Sequence, residues 1–380
     1  MNDNALKRKL KEAVCTYIDE LRPELFELAD YLHANPELSA EEIEAAAYIK
    51  NIVQKHGFSF QPVLTDSFAA AFTASRGTHG KKIGFLAEYD ALPEIGHGCG
   101  HNLIALMSVG AALAFANAAE GKAQSVIYGC AAEETKGAKL YMADAGMFDG
   151  VAAALIIHPD SRTSIGGTSY ATHPLEIAFI GKSAHVADPD YHGINALDAL
   201  VDFYGRFKAL QKTFTGKTII GTIITEGGKA PNIIPDRACL HATIRSLSTD
   251  YLENTMLPQI KELACRVAAE HGAEVEMRHY EPLYKNLRSD EILNGYYADN
   301  FKQLGEPYDL LPDDYADGST DVGNVSHVTR SCQPTICIGR GIFGHTREFA
   351  CAAGSAFGKE QALKGAKAIA MTAVDVLLEK

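Results

Sequence analysis

At 380 residues, 47% of them hydrophobic and 22% charged, the chain has the composition of a soluble globular protein and exceeds the usual size of a single hydrophobic core, so two domains are expected. A formal net charge of -13 without any Lys/Arg cluster argues against a nucleic-acid partner. With no apolar stretch of membrane-spanning length and no signal-peptide pattern, no membrane association and a cytoplasmic location are expected.

Residues 4–33 carry helical periodicity, expected to break near Pro23. Ser39 and Glu42 have the spacing of a capping box for a helix reaching about His56, where Gly57 stops it. Strands are expected near 69–74, 83–90, 125–131 and 152–157, with helices at about 103–119 and 136–145 between them. Strand and helix alternating at this spacing predict an α/β fold with a mainly parallel sheet. From about 171 the order becomes strand, helix, strand, strand, helix, strand: Leu175–Gly181, Ile194–Lys212, Lys217–Glu226, Arg237–Ser246, Asp250–His271 and Ala273–Glu281. This βαββαβ order is that of a ferredoxin-like unit. It is read as a small domain, 171–285, inserted into a larger one formed by 1–170 and 286–380. The larger domain resumes through a Gly- and Asp-rich loop, Asp313 to Asp321, then a strand Pro334–Gly339, and closes with a helix Lys359–Leu378.

The chemistry concentrates in His97-Gly98-Cys99-Gly100-His101-Asn102, two imidazoles and a thiol between glycines that let the backbone fold tightly. It follows an apolar strand ending in Glu88 and Asp90, whose side chains share a face, and precedes a helix for which Asn102 is a favoured N-cap. A helix N-terminus and a divalent metal both favour Cys99 as thiolate. The other seven cysteines are scattered without CxxC pairs and are expected as reduced thiols. Three more strand ends carry metal-type side chains: Glu133-Glu134 after 125–132, His158 after 152–157, and His345 beyond Thr335–Arg340. In open α/β sheets such ends converge on one crevice. Cys99, His101, one of the two glutamates, His158 and His345 therefore offer N, S and O donors enough for two first-row ions close together, leaving a carboxylate free to move protons. Adjacent residues on an extended segment point opposite ways, so Glu133 and Glu134 differ in role; the local pattern does not say how. No G-x-G-x-x-G after a strand, Walker, G-x-S-x-G or H-E-x-x-H motif competes.

Taken with Leu32-His33-Ala34-Asn35-Pro36-Glu37-Leu38, Glu88-Tyr89-Asp90-Ala91-Leu92-Pro93, Gly181-Lys182-Ser183-Ala184-His185, Pro231-Asn232-Ile233-Ile234-Pro235-Asp236, Ile244-Arg245 and Gly318-Ser319-Thr320-Asp321-Val322-Gly323, these residues resemble the dinuclear-metal aminoacylase and exopeptidase family. The branch includes indole-acetyl-amino-acid hydrolases, p-aminobenzoyl-glutamate hydrolase and β-alanyl-lysine-type dipeptidases. The resemblance implies a zinc-exopeptidase-like catalytic domain with two divalent ions (zinc, manganese or cobalt) held by Cys99, His101, Glu134, His158 and His345. It makes Glu133 the general base, with Asp90 and His185 completing the catalytic set. The inserted unit becomes a lid that forms a homodimer and carries His185 to the partner's site, where it steadies the oxyanion. Asn232 and Arg245 would hold the substrate, an N-acyl-, aminobenzoyl- or β-aminoacyl-amino acid. Other branches have His-x-Asp where this chain has Glu88-Tyr89-Asp90, which leaves Cys99 to supply the ligand and the role of Glu88 open. Two alternatives stand beside this reading: a hydrolase with Cys99 as nucleophile and His101 as base, and a non-catalytic amino-acid- or peptide-binding protein.

Overall fold

The computed structural model describes residues 3–63, 68–187 and 192–379. The chain divides into two compact units: Met1–Thr168 with Leu287–Tyr315 and Asp321–Lys380, and Ser169–Asn286 with Ala316–Thr320. The short segment Ala316–Thr320, placed by the sequence in the larger domain, packs instead with the smaller unit. There Gly318 accepts the Tyr170 amide and the Ser319 and Thr172 hydroxyls lie 2.6 Å apart.

In the larger unit, five strands β1 (Ser59–Pro62), β2 (Phe72–Arg76), β3 (Lys81–Glu88), β4 (Ala123–Cys130) and β5 (Val151–Leu155) run in the order β1-β2-β4-β3-β5, with Ser331–Cys332 beyond β5. β3 pairs in parallel with β4 and β5, while β1 and β2 add antiparallel at one edge. The inner strands are apolar along their length because both faces are covered, as parallel sheets require. A second, smaller sheet orders Asp309–Leu311, Ser164–Gly166, Thr335–Cys337 and His158–Asp160. His158 therefore opens a strand of its own rather than ending β5.

Three long helices pack together: Asp3–Ala34, His101–Ala118 and Ala356–Leu377. The expected break at Pro23 does not occur, and the first helix is continuous over 32 residues. Losing one hydrogen bond there costs about 3 kcal/mol. Burying Val14, Ile18, Leu21, Leu25, Leu28 and Leu32 along one face outweighs it, at about 1.5–3 kcal/mol each. His101–Ala118 corrects the membrane expectation too, since its 18 residues with mean hydropathy 1.3 suffice for a span by length and composition. It is a core helix, with 89% of that window buried. Its N-cap is Gly100 rather than Asn102, whose amide donates to the Ala29 and Ala353 carbonyls.

The smaller unit has strands β6 (Ala171–Ile180), β7 (Thr218–Glu226), β8 (Arg237–Ser246) and β9 (Glu274–His279), antiparallel in the order β9-β6-β8-β7. Leu175, Ile177 and Phe179 alternate with Ala238, Leu240, Ala242 and Ile244 to bury one sheet face under the helices Ala196–Gln211 and Leu257–Glu270. The βαββαβ order is that of the sequence reading, with a π-helical segment Leu252–Met256 leading into the second helix.

A close approach in β4 gives a stability test. A Cβ at Gly129 would lie 2.2 Å from Cε1 of Phe72, a ring held between Phe60 and Tyr89. Gly129→Ala is expected to destabilise the protein by about 1–3 kcal/mol, read as a lower urea midpoint at unchanged slope. An unchanged midpoint would mean that Phe72 relaxes freely.

Candidate metal centre

The strand ends of the larger unit bring five predicted residues together. The loop after β3 turns back on itself by a Leu92–Gly96 bridge and delivers Cys99 and His101 to the first turn of the core helix. Gly100 at φ 77 permits that turn, and a Cβ there would press on Pro159 at 3.0 Å. After β4, Ala132 takes a left-handed conformation (φ 58), and the turn behind it presents Glu133 and Glu134. His345 is also left-handed (φ 62), and its amide donates to the Gly98 carbonyl, which ties its loop to the Cys99 loop.

The donor atoms form two overlapping groups, Cys99 with His101 and His158, and Cys99 with Glu134 and His345; within each, all lie within 4.8 Å of one another. Cys99 Sγ is 3.6 Å from His158 Nε2 and 3.7 Å from His345 Nε2, and His345 Nε2 is 3.6 Å from Glu134 Oε2. Two ligands of one tetrahedral first-row ion, with bonds of about 2.0–2.3 Å, stand about 3.3–3.8 Å apart. His101 Nε2 and Glu134 Oε1 are buried without a hydrogen-bond partner. Buried polar atoms are rarely left so, and here they point at one another across 3.9 Å. The donor set fits divalent metal ions, with Cys99 common to both groups.

A buried network holds these groups. Asp90 Oδ1 accepts from His101 Nδ1 at 2.8 Å, and Asp90 Oδ2 accepts the Glu134 amide at 3.0 Å and the Ser39 hydroxyl. Burial would raise the Asp90 carboxyl, but His101, the Glu134 amide and Ser39 bring it down to about 2. At 1% exposure Asp90 orients ligands and is closed to substrate, which revises its expected catalytic place to a positioning one. Glu42 accepts the Ala132 amide at 2.7 Å and so supports the left-handed turn; burial, with Asp90 nearby, lifts it to about 7. The expected capping box is thus not made. Ser39 and Glu42 both serve the site, and Glu37 accepts the Glu44 and Ala45 amides instead.

Charge is concentrated here. Burial, reinforced by Glu88, Asp321 and Glu134, pushes the Glu133 carboxyl well above its ordinary range, and its Oε2 lies 4.0 Å from His101 Nε2. Burial opposes a positive charge on His101, yet Asp90 and Cys99 overcome it and raise its proton affinity well above the usual value. The same field attracts a metal cation. Burial also pushes the Cys99 thiol far up, with His101 opposing, so the expected thiolate depends on the metal rather than on the helix terminus. His97 is no ligand: Nε2 donates to the Leu32 carbonyl at 3.0 Å, and burial lowers its pKa to about 3.

The remaining predicted residues belong to the smaller unit. His185 and Asn232 are exposed on two paired extended segments, joined by the His185–Ile233 bridge and a Val186 amide to Asn232 carbonyl bond. His185 Nδ1 accepts the Ala187 amide at 3.1 Å, which puts the ring proton on Nε2. Arg245 lies on β8, on the sheet face opposite the helices, and its guanidinium has no ion-pair partner among the described residues. The sequence reading missed Ser39, Glu42, Lys139 and Asp321 as site residues. Asp321 lay in a motif already quoted, and Ser39 and Glu42 had been read only as a helix cap.

Residues 172–272 match the family model described as a peptidase dimerisation domain. The chain is 33% identical to the human Xaa-Arg dipeptidase over 98% of its own length and 89% of that protein. It is 31% identical to a p-aminobenzoyl-glutamate hydrolase polypeptide of Escherichia coli over 60% of its own length and 52% of that one. Among solved structures, a dinuclear metal-binding peptidase of the M20 family from Bacillus subtilis superposes with a TM-score of 0.70 at 19% identity, covering 94% of this chain and 99% of the other. The chain belongs to the M20 family of peptidases and amidohydrolases and is a hydrolase acting on amide bonds.

Proposed function

We propose that this protein cleaves the amide linking an acyl, aminobenzoyl or β-aminoacyl group to an amino acid with a free carboxylate, dipeptides included, in a metal-dependent reaction. The observation that carries the reading is the convergence of Cys99, His101, Glu134, His158 and His345 with buried donor atoms unpartnered. Its relatives, a dipeptidase and a p-aminobenzoyl-glutamate hydrolase, support a substrate whose amide nitrogen belongs to an amino acid.

Divalent ions held by those five residues, zinc, manganese or cobalt, would polarise the amide carbonyl and make a water molecule acidic. Glu133 takes the proton of the attacking water. Its raised proton affinity lets it keep that proton until the leaving nitrogen accepts it. Glu134 ligates, held in direction by the bond from its own amide to Asp90. Asn232 and Arg245 bind the substrate, the unpaired guanidinium forming a fork for its carboxylate. The smaller unit forms a homodimer, in support of which stands its match to a dimerisation domain. His185 of each protomer donates Nε2–H to the oxyanion in its partner's site. The cysteine-nucleophile reading loses support, because burial keeps the Cys99 thiol protonated in the absence of metal and a thiol is a poor nucleophile.

Each of these roles has its own test. Exhaustive chelation should abolish amine release from an N-acyl-amino-acid and dipeptide panel, and a divalent ion should restore it, whereas Cys99→Ser should retain less metal by elemental analysis. Activity that survives chelation would return the cysteine mechanism. Glu133→Gln should keep its metal and lose ~100- to 10,000-fold in turnover, while Glu134→Gln should lose metal as well. The opposite pattern would exchange the two roles. His185→Ala should cut kcat ~100-fold or more at unchanged metal content, and mixing it with Glu133→Gln protomers should restore part of the activity, since one site of each heterodimer carries neither defect. If subunit exchange is verified and no activity returns, His185 does not cross the interface.

A further inference from the structure

Glu88 ends β3 beside the metal centre with an arrangement that the five-ligand reading leaves without a purpose. Its side chain is 1% exposed. Oε1 accepts from the Lys139 ammonium at 2.7 Å, and that ammonium, itself fully buried, lies 2.6 Å from Asp321 Oδ1. Fixed between two carboxylates, Lys139 holds Glu88 in one orientation. The other oxygen, Oε2, is buried with no hydrogen-bond partner and lies 3.5 Å from His101 Nε2, which has none either. His101 carries a proton on Nδ1, which donates to Asp90, so in the neutral ring Nε2 presents a lone pair. Once a metal cation takes the place of any proton on Nε2, this nitrogen and Glu88 Oε2 are two donors that face each other across 3.5 Å inside a dry pocket. A buried carboxylate oxygen without a partner is costly, and a positive charge set between the two atoms removes that cost.

We propose that Glu88 is a further member of the metal centre: its Oε2 faces the ion bound at His101 Nε2, and Lys139 with Asp321 is the clamp that keeps it there. The inference rests on the metal-dependent reading above. It gives this chain a carboxylate on the metal side of His101, in addition to Asp90 on the opposite ring nitrogen. The clamp explains why a lysine is buried completely at this point. A fixed ammonium between Glu88 and Asp321 keeps both carboxylates in place beside Glu133 and Glu134.

The test is a titration of metal-free, full-length protein with Co2+, followed by calorimetry and by the visible absorption that reports the cobalt donor set. In Glu88→Gln the amide oxygen can still accept from Lys139 while the charge facing His101 is lost. Binding of one ion should weaken by ~10- to 100-fold and the visible bands should shift, with the melting temperature of the metal-free protein not lowered. Glu88→Asp keeps the charge but withdraws the oxygen by one methylene, and it should also weaken that ion. Wild-type affinity and spectrum in either variant would overturn the proposal. Tighter binding in Glu88→Gln would overturn it too, because Glu88 would then serve only to hold a competing proton on His101. So would weaker binding that appears only in step with loss of folded signal, which would make the Glu88–Lys139 pair purely structural. If the unsubstituted protein takes up no Co2+, the metal-dependent reading itself falls and the Glu88 assignment with it.

Discussion

The carboxylate of Asp90 is the joint on which the site depends. It accepts from the His101 ring, from the Glu134 amide and from the Ser39 hydroxyl, so a single buried group ties together the segments after β3, after β4 and before the helix Ile43–Lys55. Each bond is charge-assisted, and such bonds are about twice as strong as neutral ones. Their combined effect keeps Asp90 ionised although burial works against it. Because one rigid carboxylate sets both His101 and Glu134, neither donor can be displaced without disturbing the other, which is what pre-organisation of a metal centre requires.

Around this joint the unit buries more negative than positive charge. Glu42, Glu88, Asp90 and Asp321 are all nearly inaccessible, and Lys139 is the buried cation set among them. Desolvation lifts Glu42 to about 7 and Asp321 to about 6, the latter with Lys139 opposing. Such a pocket is electrostatically incomplete, since like charges in a low-dielectric interior raise one another's proton affinity. Divalent cations complete it. The raised proton affinity of Glu133, which suits the general-base role proposed for it, is a consequence of the same crowding rather than a separate adaptation.

Several residues that look functional by type act as struts. His33 donates to the Ala350 carbonyl in the short helix after His345, and His97 donates to the Leu32 carbonyl. Between them these two imidazoles fasten the Cys99 and His345 loops to the end of the first helix. The histidines around the site thus divide by which nitrogen meets a carbonyl: His101 and His158 use Nδ1 and leave Nε2 facing the centre, whereas His33 and His97 use Nε2 as tethers. In the smaller unit Glu176 plays a comparable part, accepting from Arg278, Arg237 and His241 on one sheet face, with the Arg278 pairing first among the causes that bring its carboxyl down to about 2.

Local pattern alone pointed to the α/β alternation, the βαββαβ order and a set of candidate donors at the strand ends, because hydrophobic periodicity and strand-end placement are properties of neighbouring residues; which glutamate of the pair would ligate came only from the family resemblance. The spacing Cys99-Gly100-His101 already limits both side chains to one small object. Tertiary structure decided what neighbouring residues do not encode. Pro23 stays inside a helix because packing along its whole face outweighs one missing hydrogen bond. Ser39 and Glu42 abandon the capping box because Asp90 and the Ala132 amide, distant in sequence, compete for them with charge-assisted bonds. Lys139 and Asp321 join Glu88 across 51 and 233 residues of chain, a pairing that no local spacing announces. The sequence determined which side chains could ligate a metal. The fold decided which carboxylates are buried, and burial is what turns an ordinary acidic residue into an anchor, a base or a ligand.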